Sequence, residues 1–178
     1  NMVDCPGPGY KLVETPKGKV LMVSMLGSIV GKQADVETEN PLKKIDEILS
    51  SVPRESYVAS VVNIHGDFSS EKIVLGYYVD GRVSVVVGDH WHVPTADAQV
   101  MPKGTAHITD VGMCGSLDSS LGVTFDSIIP RWRDDRHFPK PVWAVPERDK
   151  SAPRPAVPDQ TLRDAIVQVL AEAQGGGV

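Results

Sequence analysis

Between Tyr10 and Leu26 the chain carries two strand-like stretches, YKLVET and KGKVLMVSML, joined at Pro16, Lys17 and Gly18. Pro and Gly favour tight turns, so the pattern predicts a β-hairpin. Its second arm, Val20 to Leu26, is apolar enough to be a central strand. A helical period follows. Leu42, Ile45, Ile48 and Leu49 form a stripe behind Asn40 and Pro41, a suitable N-cap and a suitable first helical residue. YVASVVNIH (Tyr57 to His65) again reads as an apolar strand. After the loop GDFSS a second helix is predicted over about Ser70 to Val79, with Ile73, Val74, Tyr77 and Tyr78 on one side. Val83 to His90 predicts the next buried strand. Strand, helix and strand in short succession are the pattern of a βαβ unit with parallel strands, so the chain is expected to be α/β.

Further on, AQVMPKG and TAHITDVGM predict two strands around a turn at Pro102 to Gly104. DSIIPRW predicts a short helix broken at Pro130, and PVWAVPE (141–147) an edge strand. Four prolines within PERDKSAPRPAVP then change the character of the chain. The expected organisation is a domain over 1–147, an extended Pro-rich linker over 148–158, and an amphipathic helix with its tail over 159–178. Asp159 is its N-cap, and Leu162, Ile166, Val169 and Leu170 form its apolar face.

The 178 residues carry a formal net charge of -5, with 41% hydrophobic and 23% charged positions. That balance gives no reason to expect a nucleic-acid backbone or an anionic membrane as partner. Cys5 and Cys114 are too far apart in sequence for a metal knuckle and too few for a disulfide framework. Cys114 is expected to be an inert buried thiol. No apolar run has transmembrane length, and the opening NMVDCPGPGY is not a signal peptide. The expected compartment is the reducing cytoplasm. Asn1 precedes Met2 in a loop-like stretch, which leads to the expectation that the chain starts inside a longer one.

Candidate chemistry concentrates on histidine. His90 and His92 flank Trp91 at the end of a predicted strand, and in a strand such positions point the same way. His65 ends the preceding parallel strand. Open α/β sheets bind ligands outside the carboxyl ends of their strands, and neutral imidazole is the commonest protein metal ligand. The three rings are therefore candidates for one metal site. His107 reads as a strand residue and His137 as surface. Asp67, Asp89, Asp97 and Asp110 lie nearby in sequence. Carboxylates that accept an imidazole N–H commonly orient metal-bound histidines. Ser69 and Ser70 open a helix whose free N–H groups suit a phosphate.

From about Val62 to Gly122, the residues IHGDFSSEKIVLGYYVDGRVSVVVGDHWHVPTAD and MPKGTAHITDVGMCGSLDSSLG resemble the YmdB-type branch of the calcineurin-like metallophosphoesterases, bacterial phosphodiesterases acting on cyclic nucleotides. PGPGYKLVE and VLMVSMLG resemble it more weakly. The resemblance implies an αββα sandwich and a site with two ions, iron, manganese or zinc. It assigns His65 and His90 to one metal and His92 to the other; Asp67, Asp89, Asp110 and Ser69, from their place near the histidines in sequence, are the residues expected around the site or at the substrate. The implied substrate is a small phosphodiester. The family's amino-terminal βαβ portion, with its acidic and asparagine ligands, precedes the stretch that Asn1 matches. The chain is thus expected to be the carboxyl-terminal portion of such a domain, associating with the missing half or with another copy. The competing expectation is a truncated, inactive relative that acts as an oligomerising scaffold. Trp91 departs from the family, which carries a small polar residue between the histidines. Asp89 and Pro94 replace uncharged polar residues, and Cys114 stands where threonine is common.

Overall fold

The computed structural model describes residues 1–30, 37–116 and 118–134. The expected edge strand at 141–147, the linker, the terminal helix and His137 lie outside the described residues. Residues 1–112 form one compact unit, and residues 113–134 belong to a second.

The first unit is built on a six-stranded sheet in the order β1-β2-β3-β4-β6-β5. Its strands are β1 (Tyr10–Thr15), β2 (Gly18–Leu26), β3 (Ala59–His65), β4 (Val85–Asp89), β5 (Gln99–Val100) and β6 (Ala106–Ile108). β2, β3, β4 and β6 run parallel, while β1 and β5 add antiparallel edges. The predicted hairpin and the predicted βαβ unit are both present. Two helices provide the crossovers, α1 (Pro41–Ser51) between β2 and β3 and α2 (Ser69–Tyr78) between β3 and β4.

The N-cap of α1 is the expected one. The Asn40 side-chain oxygen accepts the Leu42 N–H at 2.8 Å, and Pro41 occupies the first turn. Ile45 and Ile48 are buried, with Leu42 and Leu49 packed beside them. They meet Leu21, Val23 and Met25 of β2 and Val62 and Ile64 of β3 in one apolar cluster. These strand residues alternate along the chain and pair in register, Val23 with Val62 and Met25 with Ile64, so they share one face of the sheet. Each such fully buried side chain contributes about 1.5–3 kcal/mol. The opposite face carries Met22, Val61, Asn63, His65, Val87 and Asp89.

The burial of α2 differs from the expectation. Val74 and Tyr77, expected on the apolar side, are 53% and 54% exposed. The inward stripe is Lys72, Leu75, Gly76 and Val79, all buried. It has the helical spacing of three and four residues, but a charged residue and a glycine hide it from an apolar count. Tyr78 instead turns its hydroxyl to Asp46 of α1, beside Arg82. Gly76 sits against His107 of β6, where an added Cβ would meet the ring at 2.6 Å.

β4 is shorter than expected, ending at Asp89, so His90 and His92 lie beyond the strand. In the second unit a helix, α3, spans Phe125–Arg133 and runs through Pro130 instead of breaking there. Proline costs a helix one N–H bond, and the turn after it closes with Asp134 N–H donating to the Pro130 carbonyl. Cys114 is exposed, contrary to the expectation of a buried thiol. No helix among the described residues is long and apolar enough to cross a membrane.

Candidate active site

The parallel pairing of β3 with β4 sets His65 opposite Asp89 at the carboxyl ends of both strands. Their side chains share the sheet face away from the helices. His65 Nδ1 lies 2.8 Å from Asp89 Oδ1. The Asn63 amide, two residues back on the same face, donates to the other Asp89 oxygen at 3.3 Å. Sequence reading gave Asn63 no role, although its position two residues before a candidate histidine marks it as a neighbour of the site.

Beyond β4 the backbone leaves the strand conformation abruptly. His90 has φ +123° and His92 φ +64°. L-residues rarely adopt such values; each costs about 1–3 kcal/mol and persists only where the surroundings impose it. Strand alternation therefore does not orient the two histidines, and the reason for expecting them to face one way is lost. The loop nevertheless carries His90 back over β3. His90 Nδ1 stands 3.0 Å from His65 Nε2, with the rings edge to face at 4.7 Å between centroids. The His92 ring is 6.5 Å from that of His90, tilted by 35°, and His92 is exposed.

Asp67 takes the far side of His90. Its Oδ1 is 2.7 Å from His90 Nε2, and its Oδ2 accepts the Val30 N–H at 2.6 Å. The Val30 bond holds the Asp67 carboxyl below the usual carboxylate range, helped by the neighbouring His90 ring and the Lys72 charge and opposed by burial. One carboxylate thus joins the loop after β2 to the loop after β4. Glu71, which sequence reading passed over, makes a parallel tie: its Oε2 accepts the Ser28 N–H at 2.7 Å. An added Cβ on Gly27 would lie 2.5 Å from that oxygen and push the carboxylate away from the Ser28 N–H.

The proton inventory of the two rings is informative. A neutral imidazole has one N–H and one lone pair. The tautomers in which His65 Nδ1 donates to Asp89 and His90 Nε2 to Asp67 leave the lone pairs of His65 Nε2 and His90 Nδ1, 3.0 Å apart, free to accept a cation. Zinc–imidazole bonds are about 2.0–2.1 Å long, and at the tetrahedral angle two of them set their nitrogens about 3.3–3.4 Å apart, a few tenths of an ångström more than the 3.0 Å between these two rings. Among the described residues no group of three or more His, Cys, Asp or Glu is arranged to hold a metal.

The other expected residues fall elsewhere. Asp110 is completely buried, and its hydrogen bonds go to backbone and to Lys72, not to the His65 or His90 ring; it accepts N–H bonds from Trp91 at 2.8 Å and Gly112 at 2.8 Å. Lys72, also completely buried, approaches it at 3.4 Å. Ser69 is exposed as the first residue of α2. Asp97 binds the hydroxyls of Thr95 and Thr109. Burial raises its carboxyl, but these bonds outweigh burial and bring it below the usual range. His107 is buried in β6 as a strand residue, with Nε2 donating to the Lys72 carbonyl at 3.3 Å.

A Bacillus subtilis (strain 168) protein named 2',3'-cyclic-nucleotide 2'-phosphodiesterase is 41% identical over 129 residues, covering 72% of this chain and 47% of its own length. A Mycoplasma pneumoniae protein named putative phosphatase/phosphodiesterase is 37% identical over 109 residues, 61% of this chain and 37% of that one. Among solved structures, a hypothetical protein from Thermus thermophilus superposes with a TM-score of 0.65 at 33% identity, over 80% of this chain and 53% of that one. A crystal structure described as a novel phosphatase from Mycoplasma pneumoniae gives a TM-score of 0.58 at 33% identity, over 70% and 43%. The chain thus spans about half the length, or less, of these relatives. The family model for YmdB-like proteins matches residues 1–144, and the chain belongs to that family.

Proposed function

We propose that this chain contributes the histidine part of a two-metal phosphodiesterase centre, with His65, His90 and His92 as ligands and iron, manganese or zinc as the ions. The observation that carries the reading is the facing pair of ring nitrogens, His90 Nδ1 and His65 Nε2, 3.0 Å apart, each ring anchored on its far side by a carboxylate. Imidazole, carboxylate and metal in line is the usual construction of a histidine metal site. The names of the relatives, phosphodiesterase and phosphatase, support the same chemistry. Small phosphodiesters, cyclic nucleotides among them, are the proposed substrates, and the cytoplasm the proposed compartment.

Paired ions in such a site stabilise charge on the phosphoryl oxygens and supply an activated hydroxide. The chain's own residues do the rest. Asp89 and Asp67 fix the tautomers of His65 and His90, and Asn63 fixes the Asp89 carboxylate. The exposed amino end of α2 at Ser69 offers N–H groups and the positive end of a helix dipole to a phosphate. The described sheet is proposed as one layer of an αββα sandwich. Its second face, with Met22 39% exposed and Val61 and Val87 half-buried, is apolar enough to take another layer. That layer would come from an amino-terminal portion or a second copy.

The test is metal analysis of the purified 178-residue chain and of its His65→Ala/His90→Ala variant, with hydrolysis of bis(p-nitrophenyl) phosphate in manganese as the activity assay. Stoichiometric metal in the unsubstituted chain, lost in the variant, is the expected result. Equal metal content in both would overturn the proposal. Metal uptake without hydrolysis would instead favour the scaffold reading for the chain alone.

A further inference from the structure

We propose that Lys72 and Asp110 are positioning residues that hold the His90-Trp91-His92 loop in its binding shape through Trp91. The proposal rests on the metal reading of His90 and His92 and adds two residues whose hydrogen bonds go to groups other than the two rings. Asp110 and Lys72 are both completely buried. Asp110 Oδ2 receives the Trp91 backbone N–H at 2.8 Å and faces the Lys72 ammonium at 3.4 Å, while Oδ1 receives the Gly112 N–H at 2.8 Å. The ammonium also lies 4.4 Å from the centroid of the Trp91 ring, in cation–π range. The indole Nε1–H donates to the Asp67 carbonyl at 3.1 Å. Trp91 is therefore fastened at its backbone, its ring face and its ring edge.

The residues on either side of Trp91 are the two with left-handed backbone in this loop, His90 and His92. Such backbone persists only where the surroundings over-determine it. The fastening of Trp91 over-determines it here, together with the tie from Asp67 to the His90 ring. The protein has made room for this. An added Cβ on Gly88 would lie 2.7 Å from Lys72 Cδ, so the lysine stem crosses β4 only because residue 88 is glycine. A buried ion pair is poor evidence for stability by itself; fixing one loop shape is the better account of its cost. The anchor is an indole, in the position where the resemblance leads one to expect a small polar residue.

The full 178-residue chain carries the test. Asp110→Asn alone would leave the Lys72 ammonium buried without a counter-charge and is expected to unfold the chain. The deciding variant is therefore Lys72→Met/Asp110→Leu, which removes both charges, as buried pairs often tolerate, yet releases the Trp91 N–H. Cooperative thermal unfolding in chelator establishes that this variant is folded. The readouts are the ring ¹⁵N signals of His90 and His92 in chelator and the visible absorption of the Co²⁺ complex. The expected result in the folded double variant is a shift of both ring signals and a Co²⁺ affinity about 10–100-fold weaker. Unchanged ring signals in that variant overturn the inference. No Co²⁺ absorption from the unsubstituted chain would defeat the metal reading alone, and the ring signals would still decide whether Lys72 and Asp110 position the loop.

Discussion

Gly88→Ala is the most severe single-methyl change the site offers. Gly88 is the fourth residue of β4, opposite Ile64 and one residue before Asp89. An added Cβ there would stand 1.9 Å from the Thr109 carbonyl oxygen, 2.8 Å from its carbonyl carbon and 2.7 Å from Lys72 Cδ. Reaching even a tight 3.0 Å contact with that oxygen takes a shift of about 1.1 Å. The obstacle is main chain next to β6, which pairs with β4, so it cannot rotate away as a side chain would. Overpacking costs about 1–3 kcal/mol, occasionally more, and a rigid obstacle at this distance belongs at the upper end, about 3 kcal/mol. For a chain of this size each kcal/mol lowers Tm by about 2–4 °C. The expected loss is therefore about 6–12 °C. Thermal unfolding in chelator, followed by circular dichroism, measures it without any contribution from bound ions. Gly7→Ala is the control, because nothing lies within 4 Å of its added Cβ and its backbone is not left-handed. A Tm for Gly88→Ala within about 1 °C of the control would refute the close approach of β4, Thr109 and Lys72 on which the site geometry depends.

Three further outcomes are expected. Asp89→Asn keeps a hydrogen-bonding group beside His65 but loses the charge that makes its ring a better ligand, so metal affinity in a Co²⁺ titration should fall about 10–100-fold with little change in Tm. Asn40→Ala removes the bond to the Leu42 N–H and should cost about 1 kcal/mol in urea unfolding; an unchanged midpoint would deny the cap. Burial pushes the His107 imidazole below its ordinary value of 6.5, and the Lys72 carbonyl and the Asp97 charge oppose that shift without reversing it. The unfolded chain then takes up a proton before the folded one, so this contribution to stability is complete above pH 6.5 and is lost as pH falls from there toward the folded value. His107→Leu should flatten that part of the stability profile, measured as the difference between the two chains so that the other histidines cancel.

How much of this was legible in the sequence depends on the range of the interaction. The parallel βαβ core could be read because period and capping are local: Asn40 with Pro41, and the strands around α2, behave as their patterns predict. The meeting of His65 with Asp89 was half legible, since a parallel pair brings two strand ends to one rim. The orientation of His90 and His92 was not, because the strand stops at Asp89 and periodicity carries no signal for left-handed backbone. α2 was turned the wrong way for a related reason. An apolar count favours Val74 and Tyr77 over Lys72, yet Lys72 is inside because Asp110, 38 residues later in the chain, supplies its counter-charge.

The same distinction explains how the site is held. Beyond the strand end that carries His65, its shape does not come from regular elements. It comes from ties that cross the sequence: Val30 to Asp67 to His90 on one side, and Lys72 to Asp110 to Trp91 on the other. Two non-glycine residues in left-handed backbone would relax if either chain of ties were cut. Cutting the second by Lys72→Met/Asp110→Leu, or loosening it by Gly88→Ala, should therefore disturb His90 more than His65, whose ring is set by strand register and by Asp89. Equal disturbance of the two ring signals would mean that the loop has no support of its own and simply follows the sheet.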